Sequence, residues 1–139
     1  MSYEPVDLVG VVTDAVGSPR NDGTSGSALY AVPVQLSRSV NQEEASLLQR
    51  LWDSPPHFTT MHRPGIARVS GDQIVLDGTT IDEVEQYHAK TLRGIVGAFN
   101  VEAARISDAA ESAAQEAADS ADKHRRHVSD VAERISFDG

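Results

Sequence analysis

The sequence predicts an α+β protein: a small head of short strands and one helix, followed by a long C-terminal amphipathic helix. Before residue 80, short β-branched or alternating runs are separated by Gly, Pro, Asn and Asp, which is typical of strands and turns. From Thr80 to Ile135 there is no proline, and apolar residues recur every three or four positions, which is typical of a helix. We expect the head over residues 1–79, a helical stalk that could form a coiled coil over residues 80–136, and a disordered tail over residues 137–139.

The head is predicted to begin with two strands separated by a flexible loop. Leu8 to Thr13 is a β-branched run, and residues 17–27, rich in Gly, Asn and Asp, form the loop. Leu29 to Leu36 alternates between apolar and smaller residues, as a half-buried strand does. The side chains expected on its buried face are Tyr30, Val32, Val34 and Leu36. Pro33 has no N–H to donate to a sheet, so we expect this strand at an edge.

A helix and a hairpin complete the predicted head. Asn41 can cap the helix, Glu44 can complete a capping box, and Pro55-Pro56 ends it. Its apolar side consists of Ala45, Leu48, Leu51 and Trp52. Two short strands, Ile66 to Val69 and Gln73 to Leu76, flank Ser70-Gly71-Asp72 and predict a tight hairpin. The side chains expected on the hairpin's buried face are Ala67, Val69, Ile74 and Leu76.

The long helix is predicted to begin at the N-cap Thr80, with Glu83 closing a second capping box. Its apolar stripe repeats first every eleven residues and then every seven, as in straight bundles and in coiled coils respectively. A helix of this length spans about 85 Å, which is too long for the head to cover, so part of the stripe must meet another helix. The interface residues that we expect are Leu92, Ile95, Phe99, Ile106, Ala110, Ala114, Ala117, Ala121, His124, Val128, Val131 and Ile135.

Two alternatives remain open for this segment. Gly94 and Gly97 each disfavour a helix interior by about 1 kcal/mol relative to alanine. Asn100 or Ser107 could cap a new helix after a break, which would give a helical hairpin; partial disorder is the other alternative.

Composition argues against several classes of function. The chain has no cysteine, which excludes disulfides and thiolate chemistry. Its formal net charge is −9, which argues against binding nucleic acid through phosphates. No apolar run approaches the roughly 20 residues of a membrane span. We therefore expect a cytoplasmic protein without a cofactor, whose partner is itself or another helical protein and neither nucleic acid nor a membrane.

Histidines are the only candidate reactive residues. His57, His62 and His88 could converge on a metal ion, but their spacing matches no ligand motif, and exposed loop histidines and a partly buried core histidine are the favoured explanation. His124 lies on the stripe. If it faces its own counterpart from a second copy, its protonation near pH 6.5 would oppose association.

Three classes of function fit these observations. The first is a non-enzymatic structural or assembly protein that self-associates through its C-terminal helix, as a component of a larger particle or scaffold. The second is a regulatory protein-binding module of antitoxin or inhibitor type, whose helix completes its packing on another protein. The third is a small enzyme with a histidine site between subunits.

Overall fold

The computed structural model describes residues 3–137 and contains one antiparallel sheet of four strands. The sheet has the order β1-β2-β4-β3, so the second and fourth strands are neighbours at its centre. The strands are β1 (Leu8–Val11), β2 (Tyr30–Leu36), β3 (Ala67–Ser70) and β4 (Gln73–Thr79). Together with helix α1 (Gln42–Asp53) and the long C-terminal helix, this confirms the predicted α+β fold class.

The C-terminal helix is a continuous helical run over residues 81–134. It consists of a first turn α2 (Ile81–Glu83), a π-helical turn (Val84–His88) and the helix α3 (Ala89–Arg134). Neither Gly94 nor Gly97 interrupts α3, so the alternative of a helical hairpin is wrong. None of the helices in the described part of the chain is long and apolar enough to cross a membrane.

Contacts within the chain divide it into two units. One unit is residues 4–103, and the other consists, among the described residues, of residues 104–137 together with Tyr3. Nearly all of the buried side chains belong to the first unit, to which β2, β4, α1 and the first turns of α3 contribute. The largest fully buried side chains are Trp52, Phe99, Leu36, Leu48, Ile74, Leu76, Leu92 and Ile95. The predicted domain boundary after residue 79 stays a prediction. Of the predicted tail, Phe137 is exposed and residues 138–139 lie outside the described residues.

The local elements of the head form where the sequence predicts them. Val32, Val34 and Leu36 are buried on one face of β2. Asn41 accepts a hydrogen bond from the Glu44 backbone N–H, and the Glu44 carboxylate accepts one from the Asn41 N–H, so the capping box of α1 is complete. The β3–β4 hairpin pairs Ala67 with Leu76 and Val69 with Ile74, as its buried face requires.

β2 is a central strand, so the prediction that Pro33 places it at an edge is wrong. The Pro33 carbonyl accepts a hydrogen bond from the Val12 N–H at 3.0 Å, just beyond the last residue of β1. In an antiparallel pair the N–H and the C=O of one residue point toward the same neighbouring strand. An N–H at position 33 would therefore point toward the Val12 carbonyl. That carbonyl instead accepts from the Ala15 N–H at 3.0 Å, within the 3-10 turn Thr13–Ala15. The missing donor therefore leaves no unpaired acceptor.

The start of the C-terminal helix differs from its predicted capping box. The Thr80 hydroxyl accepts from the Glu83 N–H at 3.1 Å, as an N-cap does. The Glu83 carboxylate, however, pairs with the Arg63 guanidinium through contacts of 2.6 and 2.8 Å. Arg63 also donates to the Gly78 carbonyl at 3.2 Å, so it fixes the helix start to the loop that precedes β3.

Asn100 joins the N-terminal segment to α3. Its amide donates to the Val6 carbonyl at 2.8 Å, and its carbonyl accepts from the Val6 N–H at 2.9 Å. Val6 is fully buried. Asn100 therefore holds a neighbouring segment and does not cap a new helix.

Candidate functional site

The predicted interface residues fall into two groups. Leu92, Ile95 and Phe99 are at most 2% exposed, because the core of residues 4–103 already covers them. Val131 is half-buried, and the other residues of the stripe are exposed. These are Ile106, Ala110, Ala114, Ala117, Ala121, His124, Val128 and Ile135. The exposed stripe, defined as the interface residues from Ile106 to Ile135, is the first candidate site.

Three large side chains of the exposed stripe are open to solvent. Ile106, Val128 and Ile135 are 52–54% exposed, although each lies on the same stripe of regularly spaced residues. Every residue from 108 to 130 is exposed. An apolar row of this length costs free energy in water, at roughly 25 cal/mol per Å². Packing a second apolar surface against this segment would therefore lower the free energy.

Charges along residues 104–134 separate into two blocks. The first block has five acids and one base, and the second has four bases and two acids. The first block consists of Arg105, Asp108, Glu111, Glu116, Asp119 and Asp122. The second consists of Lys123, Arg125, Arg126, Asp130, Glu133 and Arg134. The order of the blocks suits the helix macrodipole, whose C-terminal end attracts cations.

The second candidate site is a cluster of aromatic and polar side chains around Trp52 in residues 4–103. The ring centroids of His62 and His88 lie 4.8 and 5.4 Å from that of Trp52. Phe58 packs edge-on against His62 at 5.3 Å. The Trp52 Nε1–H donates to the Arg63 carbonyl at 2.8 Å, so the indole is held in one orientation. The loop after α1 thus closes over the indole ring.

The polar atoms of this cluster lack partners. Both ring nitrogens of His62 and His88 are buried and form no hydrogen bond within the described structure, and the same holds for the hydroxyls of Thr59 and Thr91. His88 is fully buried and Thr91 is 4% exposed. Buried polar groups are almost always hydrogen-bonded, so these six unpaired atoms require an explanation.

The π-helical turn places His88 in this cluster. The Ala89 N–H bonds to the Val84 carbonyl, five residues back, which widens the helix by one residue. Val84, His88 and Leu92 follow one another at intervals of four residues, so their side chains lie on one face of the helix. All three are buried. Single π-turns occur frequently at functional sites.

His88 is neutral at physiological pH. Burial lowers the pKa of its imidazole below the ordinary value of 6.5, and the positive charges of Arg63 and His62 act in the same direction. The Glu83 carboxylate opposes the effect of burial, and its contribution is larger than those of Arg63 and His62. A neutral imidazole carries one donor and one acceptor, so each ring of this kind calls for two partners.

The structure brings together two of the three histidines of the metal hypothesis. His62 and His88 both contact Trp52, whereas His57 is exposed on the loop. Within residues 3–137, no group of three or more His, Cys, Asp or Glu side chains has the geometry to hold a metal ion. The hydroxyls of Thr59 and Thr91 were missed by the sequence reasoning, since threonines in a loop and in a helix carry no signal of their own.

Comparison of the chain with protein-family models, with curated proteins and with solved structures finds no match.

Proposed function

We propose that this protein is a non-enzymatic assembly protein that self-associates through the exposed stripe of its C-terminal helix, in the cytoplasm. The observation that carries the proposal is the exposure of Ile106 and Val128 on one row of α3, and of Ile135 directly after its last residue, Arg134. Helices in water draw most of their stability from packing an apolar face, not from intrinsic propensity. A partner that covers this row supplies that packing.

The sizes of the side chains favour a second copy of the chain in antiparallel orientation. After Ile106, the residues of the stripe are alanines as far as Ala121 and larger side chains from His124 onward. Antiparallel pairing with alternating heptad layers sets one alanine against one larger side chain in every layer. The layers are Ala110 with Ile135, Ala114 with Val131, Ala117 with Val128, and Ala121 with His124. Parallel pairing would set alanine on alanine in one half and bulky on bulky in the other, which packs less evenly.

The charges favour the same orientation. In an antiparallel pair, the acidic block of one copy lies along the basic block of the other, whereas a parallel pair sets acids against acids. At physiological salt, interactions between exposed charges are screened beyond about 8 Å. Charge pairing between the two helices therefore selects their orientation more than it increases their affinity. In this arrangement His124 contacts Ala121 of the other copy, not its own counterpart.

The proposal is tested by the mass of the full chain in solution, measured by light scattering over a range of concentrations. We expect a defined multiple of 14.9 kDa that Val128→Asp converts to the monomer. Ser129→Asp, which adds the same charge one position away from the stripe, should leave the mass unchanged. A wild-type chain that stays monomeric at every concentration refutes self-association and favours the alternative, a regulatory module whose stripe packs on another helical protein.

Cross-linking tests the orientation separately, since the chain contains no cysteine. Mixing Ala117→Cys with Val128→Cys should give a disulfide between the two variants under mild oxidation, because a disulfide needs Cα atoms within about 7 Å. Each variant alone should not form it. Cross-linking of Ala117→Cys with itself would establish a parallel pair and refute the orientation while leaving self-association intact.

A further inference from the structure

Two of the unpaired atoms, the hydroxyl oxygens of Thr59 and Thr91, belong to residues that line a cleft between the loop after α1 and the first turns of α3. Thr59 lies on the loop side of this cleft and Thr91 on the helix side. Both hydroxyls lack partners, and the imidazoles of His62 and His88 belong to the same cluster around Trp52. Hydroxyls that can donate hydrogen bonds thus line the cleft from both the loop and the helix.

The rim of the cleft is cationic. Lys90 and Arg93 line it from α3, and His57 lines it from the loop. Among the described residues, no acidic side chain lines the cleft, although the chain as a whole carries a net charge of −9. Within residues 3–137, neither Lys90 nor Arg93 forms an ion pair or a side-chain hydrogen bond. Two cations and two hydroxyls without protein partners therefore line the same cleft.

We propose that this cleft binds a small oxyanion, a carboxylate or phosphate group, between Lys90 and Arg93 at the rim and the hydroxyls of Thr59 and Thr91. Each group matches this ligand. Ammonium and guanidinium groups form charge-assisted hydrogen bonds with carboxylate or phosphate oxygens. Hydroxyls can donate to the same oxygens, and Phe58 at the edge, 66% exposed, offers an apolar surface to the rest of the molecule.

Two other occupants fit the observations less well. Water could satisfy the buried hydroxyls and imidazoles, but it does not account for a cationic rim without acids. A metal ion would need further ligands besides His62 and His88, which the described residues do not provide, and the two cations at the rim oppose it.

Trp52 provides the measurement, since it is the only tryptophan and contacts both imidazoles. The full chain is titrated with sodium phosphate, sodium sulfate and sodium acetate, at an ionic strength held constant with sodium chloride. We expect a saturable change in tryptophan fluorescence with at least one of the three anions and none with chloride. Saturation by acetate alone would indicate a carboxylate ligand, and saturation by phosphate or sulfate would indicate a phosphate group.

Variants tie the response to the cleft. Lys90→Gln at an exposed position and the near-isosteric Thr91→Val should each weaken binding at least tenfold, while Lys123→Gln in the basic block should leave it unchanged. The far-ultraviolet circular dichroism of each variant verifies folding, and Lys90→Gln alone suffices if Thr91→Val fails to fold. Absence of saturation with all three anions, or equal binding by wild type and Lys90→Gln, would overturn the proposal.

Discussion

Residues 81–103 and residues 104–134 belong to one helical run but carry different kinds of side chain. The first part contributes large apolar side chains, including Leu92, Ile95 and Phe99, to the core of residues 4–103. The second part is rich in alanine and charged residues and is exposed almost throughout. Alanine, glutamate, glutamine and arginine have high intrinsic helix propensity, so the second part depends less on packing. The difference indicates that one part of the helix stabilises the head and the other presents a surface.

The largest effect should follow from truncating a core side chain in the first part. Phe99→Ala should lower the free energy of unfolding by about 3–5 kcal/mol, because it removes a fully buried ring and leaves a cavity. Urea denaturation followed by Trp52 fluorescence measures this. Val101→Ala, two residues away and 72% exposed, should change stability by at most about 0.5 kcal/mol. Equal losses in both variants would contradict the burial of Phe99 in the core.

A smaller loss should follow from removing the ion pair at the helix start. Arg63→Gln should cost about 1–2 kcal/mol, since the bidentate pair with Glu83 is largely shielded from solvent. Arg68→Gln is the matched control, because its contact with Asp77 is 3.9 Å long and exposed, and it should cost less than about 0.5 kcal/mol.

The pH dependence of the same pair has a definite sign. Arg63 lowers the pKa of Glu83 below 4.5, so the unfolded chain takes up the proton more readily than the folded one. The stabilisation is present above about pH 4.5 and is lost as the pH falls through the lowered folded-state pKa. The difference in stability between wild type and Arg63→Gln should therefore shrink below about pH 4.5. A difference that stays constant to lower pH would show that Arg63 acts through packing alone.

His88 should make the first part of the helix sensitive to mild acid. Its folded-state pKa is lowered, so protonation favours the unfolded chain. Stability should be highest above about pH 6.5 and fall as the pH drops toward the lowered folded-state pKa. His88→Phe should remove this part of the pH dependence of the urea midpoint, and His57→Phe, at an exposed position, should not. An unchanged pH profile in His88→Phe would contradict the assignment.

The smallest effect on the head should come from deleting most of the second part. A chain that ends at residue 107 should have the same free energy of unfolding as the wild-type head at low protein concentration, within about 0.5 kcal/mol. The reason is that residues 108–130 bury no side chain. Urea denaturation followed by Trp52 fluorescence measures this. The same chain should be monomeric by light scattering. A marked loss of head stability would show that residues 108–139 contribute to the fold of residues 4–103.

Features set by neighbours in sequence could be predicted from it. The capping box of Asn41 and Glu44 and the hairpin at Gly71 depend on residues within a few positions of each other. The place of Pro33 could not be predicted, because it depends on where β1 ends, in another part of the chain. The second capping box failed for a similar reason, since Arg63, twenty residues away, binds the Glu83 carboxylate.

The candidate sites show the same limit. The spacing of the exposed stripe could be predicted, because a helix repeats locally. The burial of Leu92, Ile95 and Phe99 by the head could not be predicted, since it depends on how the sheet packs against the helix. The Trp52 cluster depends on a π-turn and on a loop that brings His62 beside the indole ring, and neither has a recognisable sequence pattern.

The hydrogen bonds between Val6 and Asn100 have a consequence for synthesis on the ribosome. They join positions 94 residues apart, so the N-terminal segment cannot be secured until nearly all of the head has been made. Contacts of such long range tend to form slowly. Since domains generally fold as units, we expect the head to complete its folding only after Asn100 has left the ribosome. The exposed stripe therefore emerges from the ribosome after the residues that form the core of the head.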